Sequence, residues 1–283
     1  MNELMVKINF LIPVLPRAEK AFAQALVENP EAIANMTLAE AARETNSSDT
    51  TIVRFCKRLD FHGYTELRHA CIAYTAEKEQ QKTQYDESVR STDTMDDIIR
   101  KVFQSNVQTM QNTMVMADNN YQKAVDALTN AKSIHFFGVG DASAACQFAF
   151  MKFCRLGVES SAESDTMMQL MRANNLGPGD VALAVSYEGR SRNVVQAMSI
   201  AKKRGATTIC ITKMSKSPLL KYIDIPLYIA ISDLSVGRDK VTRRVADQFI
   251  LDVLYLGYIS QKDFDFAASL KRSQVAIDCN KIK

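Results

Sequence analysis

Two short runs combine glycines, hydroxyls and charge in a pattern suited to an anionic ligand. The first is Gly138-Val139-Gly140-Asp141-Ala142-Ser143, and the second is Ser186-Tyr187-Glu188-Gly189-Arg190-Ser191. Glycine lets a backbone pass close to a ligand. Serine hydroxyls and the free amides at a helix start bind phosphate oxygens. The candidate ligand-binding residues are therefore Gly138, Gly140, Ser143, Ser186, Glu188, Gly189 and Ser191. A lone Gly-x-Gly also serves as a plain strand-to-helix turn. Here it lacks the third glycine of a dinucleotide fingerprint, so no nicotinamide cofactor is expected. A metal is not expected either. None of the six cysteines forms a C-x-x-C pair, and His62, His69 and His135 sit at no zinc-ligand spacing. The cysteines read as reduced thiols of a cytoplasmic protein.

A third run points to a different partner. Thr37-Leu38-Ala39-Glu40 is a capping box that starts a short helix over Leu38, Ala41 and Ala42. That helix ends near Thr45-Asn46, and asparagine tolerates the left-handed backbone of a tight turn. Ser47 or Ser48 then caps a second helix from Asp49 to Leu59. At 100° per residue, Ile52, Phe55, Cys56 and Leu59 share one face. Thr50, Thr51, Arg54, Lys57 and Arg58 share the other. An ordinary amphipathic surface helix would segregate similarly. Two capped helices joined by a three-residue turn are more specific: hydroxyls and a helix start anchor phosphates, and longer cations reach base edges. The candidate DNA-binding residues are Ser47, Ser48, Thr50, Thr51, Arg54, Lys57 and Arg58. Residues 1–76 hold eight Lys/Arg against nine Asp/Glu, so any nucleic-acid contact must come from this local cluster.

The elements that must position these residues fall into three regions. Residues 1–76 read as short helices, an all-α helix-turn-helix head. Residues 77–95 are polar and without apolar periodicity, a helix end followed by a linker. Residues 96–283 open with a helix and continue as alternating strands and helices. Strands are expected at Ser133–Phe137, Val181–Val185, Thr207–Thr212 and Ile225–Ile231, with a weaker one at Gly157–Ser160. Helices are expected near 142–155, 165–175, 191–204 and 239–260. Apolar strands without strict alternation, separated by helices, imply a parallel sheet covered on both faces: a doubly wound α/β domain. Such sheets bind ligands beyond the carboxyl ends of their strands, where both glycine-serine runs lie. Met167, Met168 and Met171 read as helix packing. At 283 residues, with 47% hydrophobic and 24% charged residues, the chain suits two globular domains. No apolar run is long enough to span a membrane, and the first ten residues, with Glu3 and Lys7, do not form a secretory signal.

Residues 28–73 resemble the N-terminal domain of the RpiR family of bacterial transcription regulators. The carrying residues are Asn29-Pro30-Glu31, Met36 to Glu40, Thr51 to Leu59, Phe61-His62-Gly63-Tyr64 and Glu66-Leu67-Arg68. Asp60 stands where that family has glycine; aspartate tolerates a left-handed helix end better than most residues. Residues 124–257 resemble a SIS (sugar isomerase) domain through Phe137 to Gly140, Arg155 to Val158, Leu176 to Asp180, Ser186, Gly189, Ser191, Ala201 to Ala206, Ser217-Pro218-Leu219 and Asp224.

The resemblance implies a DNA-binding regulator controlled by a sugar phosphate or related carbohydrate bound in a SIS-type domain. It would act as a homodimer or homotetramer on a double-stranded operator, without a membrane. Two departures touch the ligand pattern. Ala142 stands where the family has a serine, and Glu188 replaces the middle serine of Ser-x-Ser-Gly-x-Ser/Thr. A carboxylate facing a phosphate is repelled. Glu188 either points away, binds a sugar hydroxyl or amino group, or marks a domain with another ligand or none. Arg190 and Arg192 are near enough in sequence to offset its charge. The alternatives to a regulator are a sugar-phosphate isomerase-like enzyme and a protein-docking module. The first lacks an evident acid–base pair, and the second is at odds with Arg54, Lys57 and Arg58.

Overall fold

The computed structural model describes residues 3–80, 89–231, 235–236, 239–262 and 266–278. The chain divides into two compact units, which part between Val115 and Met116.

The first unit is helical: α1 (Glu3–Leu11), α2 (Arg17–Glu28), α3 (Pro30–Asn35), α4 (Leu38–Glu44), α5 (Asp49–Arg58), α6 (Tyr64–Gln80) and α7 (Met95–Val115). Its core gathers Ile8, Phe22, Leu26, Ile33, Ile52, Phe55 and Leu67. Phe22 meets Phe55 edge-on at 5.4 Å between ring centroids, a geometry the ring quadrupoles favour. Tyr64 explains part of the Phe-x-Gly-Tyr signature. Its hydroxyl donates to the Ile33 carbonyl at 2.8 Å and to Met36 O at 3.2 Å, satisfying the end of α3.

The helix ahead of the sheet was expected with residues 96–283; α7 groups instead with the first unit, where it packs on α1. Of the expected linker, residues 77–80 continue α6 and residues 81–88 lie outside the described residues.

In the second unit, α8 (Asn119–Thr129) leads into β1 (Ser133–Phe137), α9 (Asp141–Arg155), β2 (Ser160–Ala162), α10 (Thr166–Asn174), β3 (Asp180–Val185), α11 (Arg192–Lys203), β4 (Thr207–Lys213) and β5 (Ile225–Ile229). A short antiparallel pair, β6 (Ser235–Val236) and β7 (Asp239–Lys240), precedes α12 (Arg243–Gln261) and α13 (Phe266–Asp278). The five-stranded sheet is wholly parallel, in the order β2-β1-β3-β4-β5.

Its two faces differ in residue size. Ile134, Phe136, Leu183, Ile209 and Ile211 join the core with α8, α9 and α12. Ala182, Ala184 and Cys210 join the core with α10 and α11. Phe137 is the large side chain of the sheet on that second face. Burial on both faces is why these strands read as continuous apolar runs.

The strand expected at Ile225–Ile231 ends at Ile229, and two other boundary shifts have a visible cause. The weak strand expected at Gly157–Ser160 sits at Ser160–Ala162, because Gly157 (φ 78°) closes the end of α9. The last long helix starts at Arg243 rather than 239, since Asp239–Lys240 pairs as β7.

Candidate functional site

The helix pair α4–α5 forms as its caps dictate. Thr37 Oγ1 accepts from the Glu40 amide at 3.3 Å, and Glu40 accepts from the Thr37 amide at 2.7 Å. Asn46 (φ 50°) makes the turn and Asp60 (φ 66°) closes α5, both in the left-handed region. Ser48 is the N-cap of α5, accepting from the Thr51 amide at 3.2 Å.

Not every hydroxyl expected on the outer face is free there. Thr51 is buried and shares a hydrogen bond with Ser48 Oγ at 2.8 Å. Ser47 Oγ donates to the Ala18 carbonyl at 3.1 Å, tying the turn to α2. Thr50, Arg54, Lys57 and Arg58 are exposed together.

Glu19, on α2, is the residue that sequence reasoning missed. It is fully buried, yet it binds both arginines on the outer face of α5. Arg54 Nε lies 2.8 Å from Oε1 and Arg58 Nε lies 3.0 Å from Oε2, with the arginine side chains 62% and 44% exposed. The terminal nitrogens of both guanidiniums carry no hydrogen bond among the described residues. One buried carboxylate thus fixes two forks by their inner nitrogens and leaves the outer ones available. Sequence spacing could not reveal it, because Glu19 lies 35 and 39 positions away.

The two glycine-serine runs lie beyond the carboxyl ends of β1 and β3, neighbours in the sheet. This is the topological switch point of a 2-1-3-4-5 sheet, where open α/β sheets bind ligands.

Gly140 (φ 60°) is the N-cap of α9, with nothing within 4 Å of where a Cβ would stand. Gly138 differs: it lies against α9 itself, where an added Cβ would stand 2.8 Å from Cys146 Sγ and 2.9 Å from the Ala142 backbone. Ser143 is partly exposed in the first turn of α9. Ser186 is buried and accepts the Gly189 amide on its carbonyl at 3.1 Å. Ser191 is the N-cap of α11, with its hydroxyl making no capping bond. Gly189 (φ 60°) packs so tightly that a Cβ would meet Ser217 Oγ at 2.4 Å.

A hydrogen-bond chain ties these runs together. Gln169, fully buried on α10, donates to Gly138 O at 2.8 Å and accepts from Asn193 Nδ2 at 3.1 Å. Gln169 and Ala173 occupy the inner face of α10, so Met167, Met168 and Met171, expected as packing, are exposed instead.

Glu188 pairs with Lys213 on β4, at 2.6 Å from Oε2. The offset foreseen from Arg190 and Arg192 is not made; both line a groove along α11. Opposite, Arg243 bonds Asp141 at 3.0 Å and lies 3.9 Å from Asp247. Burial pushes the Asp247 carboxyl up to about 7, against the pull of Arg243, and its Oδ1 has no hydrogen-bond partner among the described residues.

His135 is no free base. Ser133 and Ser161 hold its ring at 2.7 and 2.9 Å, and burial lowers its pKa. Among the described residues, no cluster of three metal-ligating side chains occurs. Cys279 and Arg238 lie outside the described residues.

Comparison with known proteins fits this layout. Residues 2–78 match the model "Helix-turn-helix domain, rpiR family", and residues 127–254 match the SIS domain. An uncharacterized HTH-type transcriptional regulator of Caldanaerobacter subterraneus is 30% identical over 283 residues, covering 100% of this chain and 99% of that protein. HexR of Pseudomonas aeruginosa, an HTH-type transcriptional regulator, is 29% identical over 96% of this chain and 94% of its own. Among solved structures, the Vibrio vulnificus NanR protein complexed with ManNAc-6P aligns with a TM-score of 0.61 at 23% identity, covering 99% of this chain and 100% of that one.

Proposed function

Because the chain belongs to the rpiR family of helix-turn-helix transcription regulators, we propose that it binds a double-stranded operator and that a sugar phosphate in its SIS domain controls that binding. The observation that carries the ligand reading is the meeting of both glycine-serine runs at the β1/β3 switch point. The ManNAc-6P complex of NanR, alike in fold, supports a ligand of that class. Gly140, Ser143, Ser186, Gly189, Ser191 and the α9 and α11 amides receive the phosphate. Gly138 and Glu188 shape the pocket, with Lys213 neutralising Glu188. On the operator, Ser48 and Thr50 approach phosphates while Arg54, Lys57 and Arg58 reach the major groove; Ser47 and Thr51 hold the turn.

The protein works in the cytoplasm as a homodimer or homotetramer. No described helix is long and apolar enough to cross a membrane, and the five described cysteines are free thiols. Met95, Ile99 and Phe103 form an exposed apolar stripe on α7, 69%, 60% and 66% exposed, which suits contact between copies.

Titrating the full chain with its own upstream DNA, with and without hexose 6-phosphates, tests the reading. Sugar phosphates, and not the free sugars, are expected to raise the melting temperature by mass action and to change operator affinity. Operator binding that responds to neither class would refute ligand control.

A further inference from the structure

We propose that the groove along the outer flank of α11 is a second anion site, taking a nucleotide-sized organic polyphosphate. Its lining shares no residue with the strand-end ligand candidates. The groove has a volume of about 560 Å³ and is lined by Arg190, Arg192 and Lys203 with no carboxylate among its lining residues. That volume falls within the range of small-molecule sites.

The three cations are exposed, and none makes a hydrogen bond or ion pair among the described residues. Neighbouring basic residues behave differently: Lys202 pairs with Asp224, Lys213 with Glu188, and Arg204 with Asn174. Cations lining one groove with no carboxylate among them give it a local positive potential that favours an anion. Arg192 and Lys203 stand eleven residues apart on one helix, a rise of roughly 16 Å. A single phosphate cannot bridge that span, whereas a polyphosphate with an organic body can.

The apolar part of the groove accounts for the organic body. Val195, Ile200, Pro218 and Tyr222 also line it. Pro218 and Tyr222 belong to a turn tied to the Ser186–Ser191 run, because the Leu219 amide donates to Gly189 O at 3.2 Å. Tyr222 offers a flat face to an organic ring, and Arg190 and Arg192 offer forks for its phosphates, since arginine binds phosphate bidentately.

The test is equilibrium binding of ATP and of inorganic tripolyphosphate to the full chain, in magnesium-free buffer, followed calorimetrically. ATP is expected to saturate one site per chain and to bind at least about fivefold tighter than tripolyphosphate. Arg192→Gln with Lys203→Gln is expected to weaken ATP at least about tenfold. Ser186→Ala with Ser191→Ala, which cripples the strand-end pocket, should leave ATP binding as it was. The proposal is overturned by unsaturable binding, by indifference to the groove variant, or by equal affinity for tripolyphosphate. Loss in the serine variant would move ATP to the strand-end pocket and overturn it equally. Displacement of ATP by non-operator duplex DNA would give the groove to a nucleic-acid backbone instead.

Discussion

Glu188 and Lys213 close a charge pair, 2.6 Å apart, between the loop after β3 and the end of β4. Lys213 also lies 5.3 Å from the Tyr187 ring centroid, so two neighbours in the Ser186–Ser191 run hold it. The pair turns a local acidic residue, unwelcome beside a phosphate, into a neutral unit.

Lys213→Met therefore exposes the carboxylate. Affinity for a hexose 6-phosphate is expected to fall about tenfold, roughly 1.4 kcal/mol, with little change for the unphosphorylated sugar. Glu188→Gln in the same chain should restore it. Calorimetric titration of the three proteins measures both steps, and an unchanged Kd in Lys213→Met would mean Glu188 lies off the ligand.

This pair also shows how far the sequence could be read. Capping residues, the left-handed turns at Asn46 and Asp60, and the four main strands were legible, because each rests on chemistry within a few neighbours. Both ligand runs were legible as strand ends. What joins distant segments was not. Glu19 under Arg54 and Arg58, Gln169 between Gly138 and Asn193, and Lys213 on Glu188 lie 24 to 39 positions from partners they bind. Thr51 was misplaced for a related reason: its angular position put it outward, but Ser48 draws its hydroxyl in.

Glu19 separates contact from support on the recognition helix. Arg54→Ala with Lys57→Ala keeps Arg58 on the buried carboxylate, so the fold should hold while operator affinity drops at least about tenfold. Arg54→Ala with Arg58→Ala strips Glu19 of both partners and should cost about 1–3 kcal/mol of stability in the head, the arginines being partly solvated. Lys57 has no partner among the described residues; Lys57→Ala alone should lower the salt slope of DNA binding by about 1. Mobility shift at several salt concentrations, paired with thermal melts, distinguishes these. Equal melting of the two double variants would remove Glu19 from the account.

Gly189 tests the second run by conformation. Its φ is 60°, and an added Cβ would stand 2.4 Å from Ser217 Oγ, which leaves no room for a side chain. Gly189→Ala should cost about 1–2 kcal/mol from the left-handed backbone alone, and more from the collision. Gly177, with nothing within 4 Å of a would-be Cβ and no positive φ, is the control, and Gly177→Ala should change stability by no more than about 0.5 kcal/mol. Denaturant unfolding of both variants checks the contrast.

Asp247 makes stability depend on pH in a direction opposite to most carboxylates. Burial raises it from 3.8 to about 7, with Asp141 pushing the same way and Arg243 opposing. Between pH 4 and 7 the folded chain then holds a proton that the unfolded chain has released. Stability from this group is full below about pH 4, falls as pH rises through that window, and stays at its lowest above pH 7. Asp247→Asn removes the titration while keeping the shape. Its melting temperature relative to the parent protein should therefore rise from pH 5 to pH 8, being higher than the parent at pH 8. The orphan Oδ1 sharpens the expectation, since an ionised oxygen without a donor carries the larger desolvation cost. A difference that stays flat across that range would place the buried proton elsewhere.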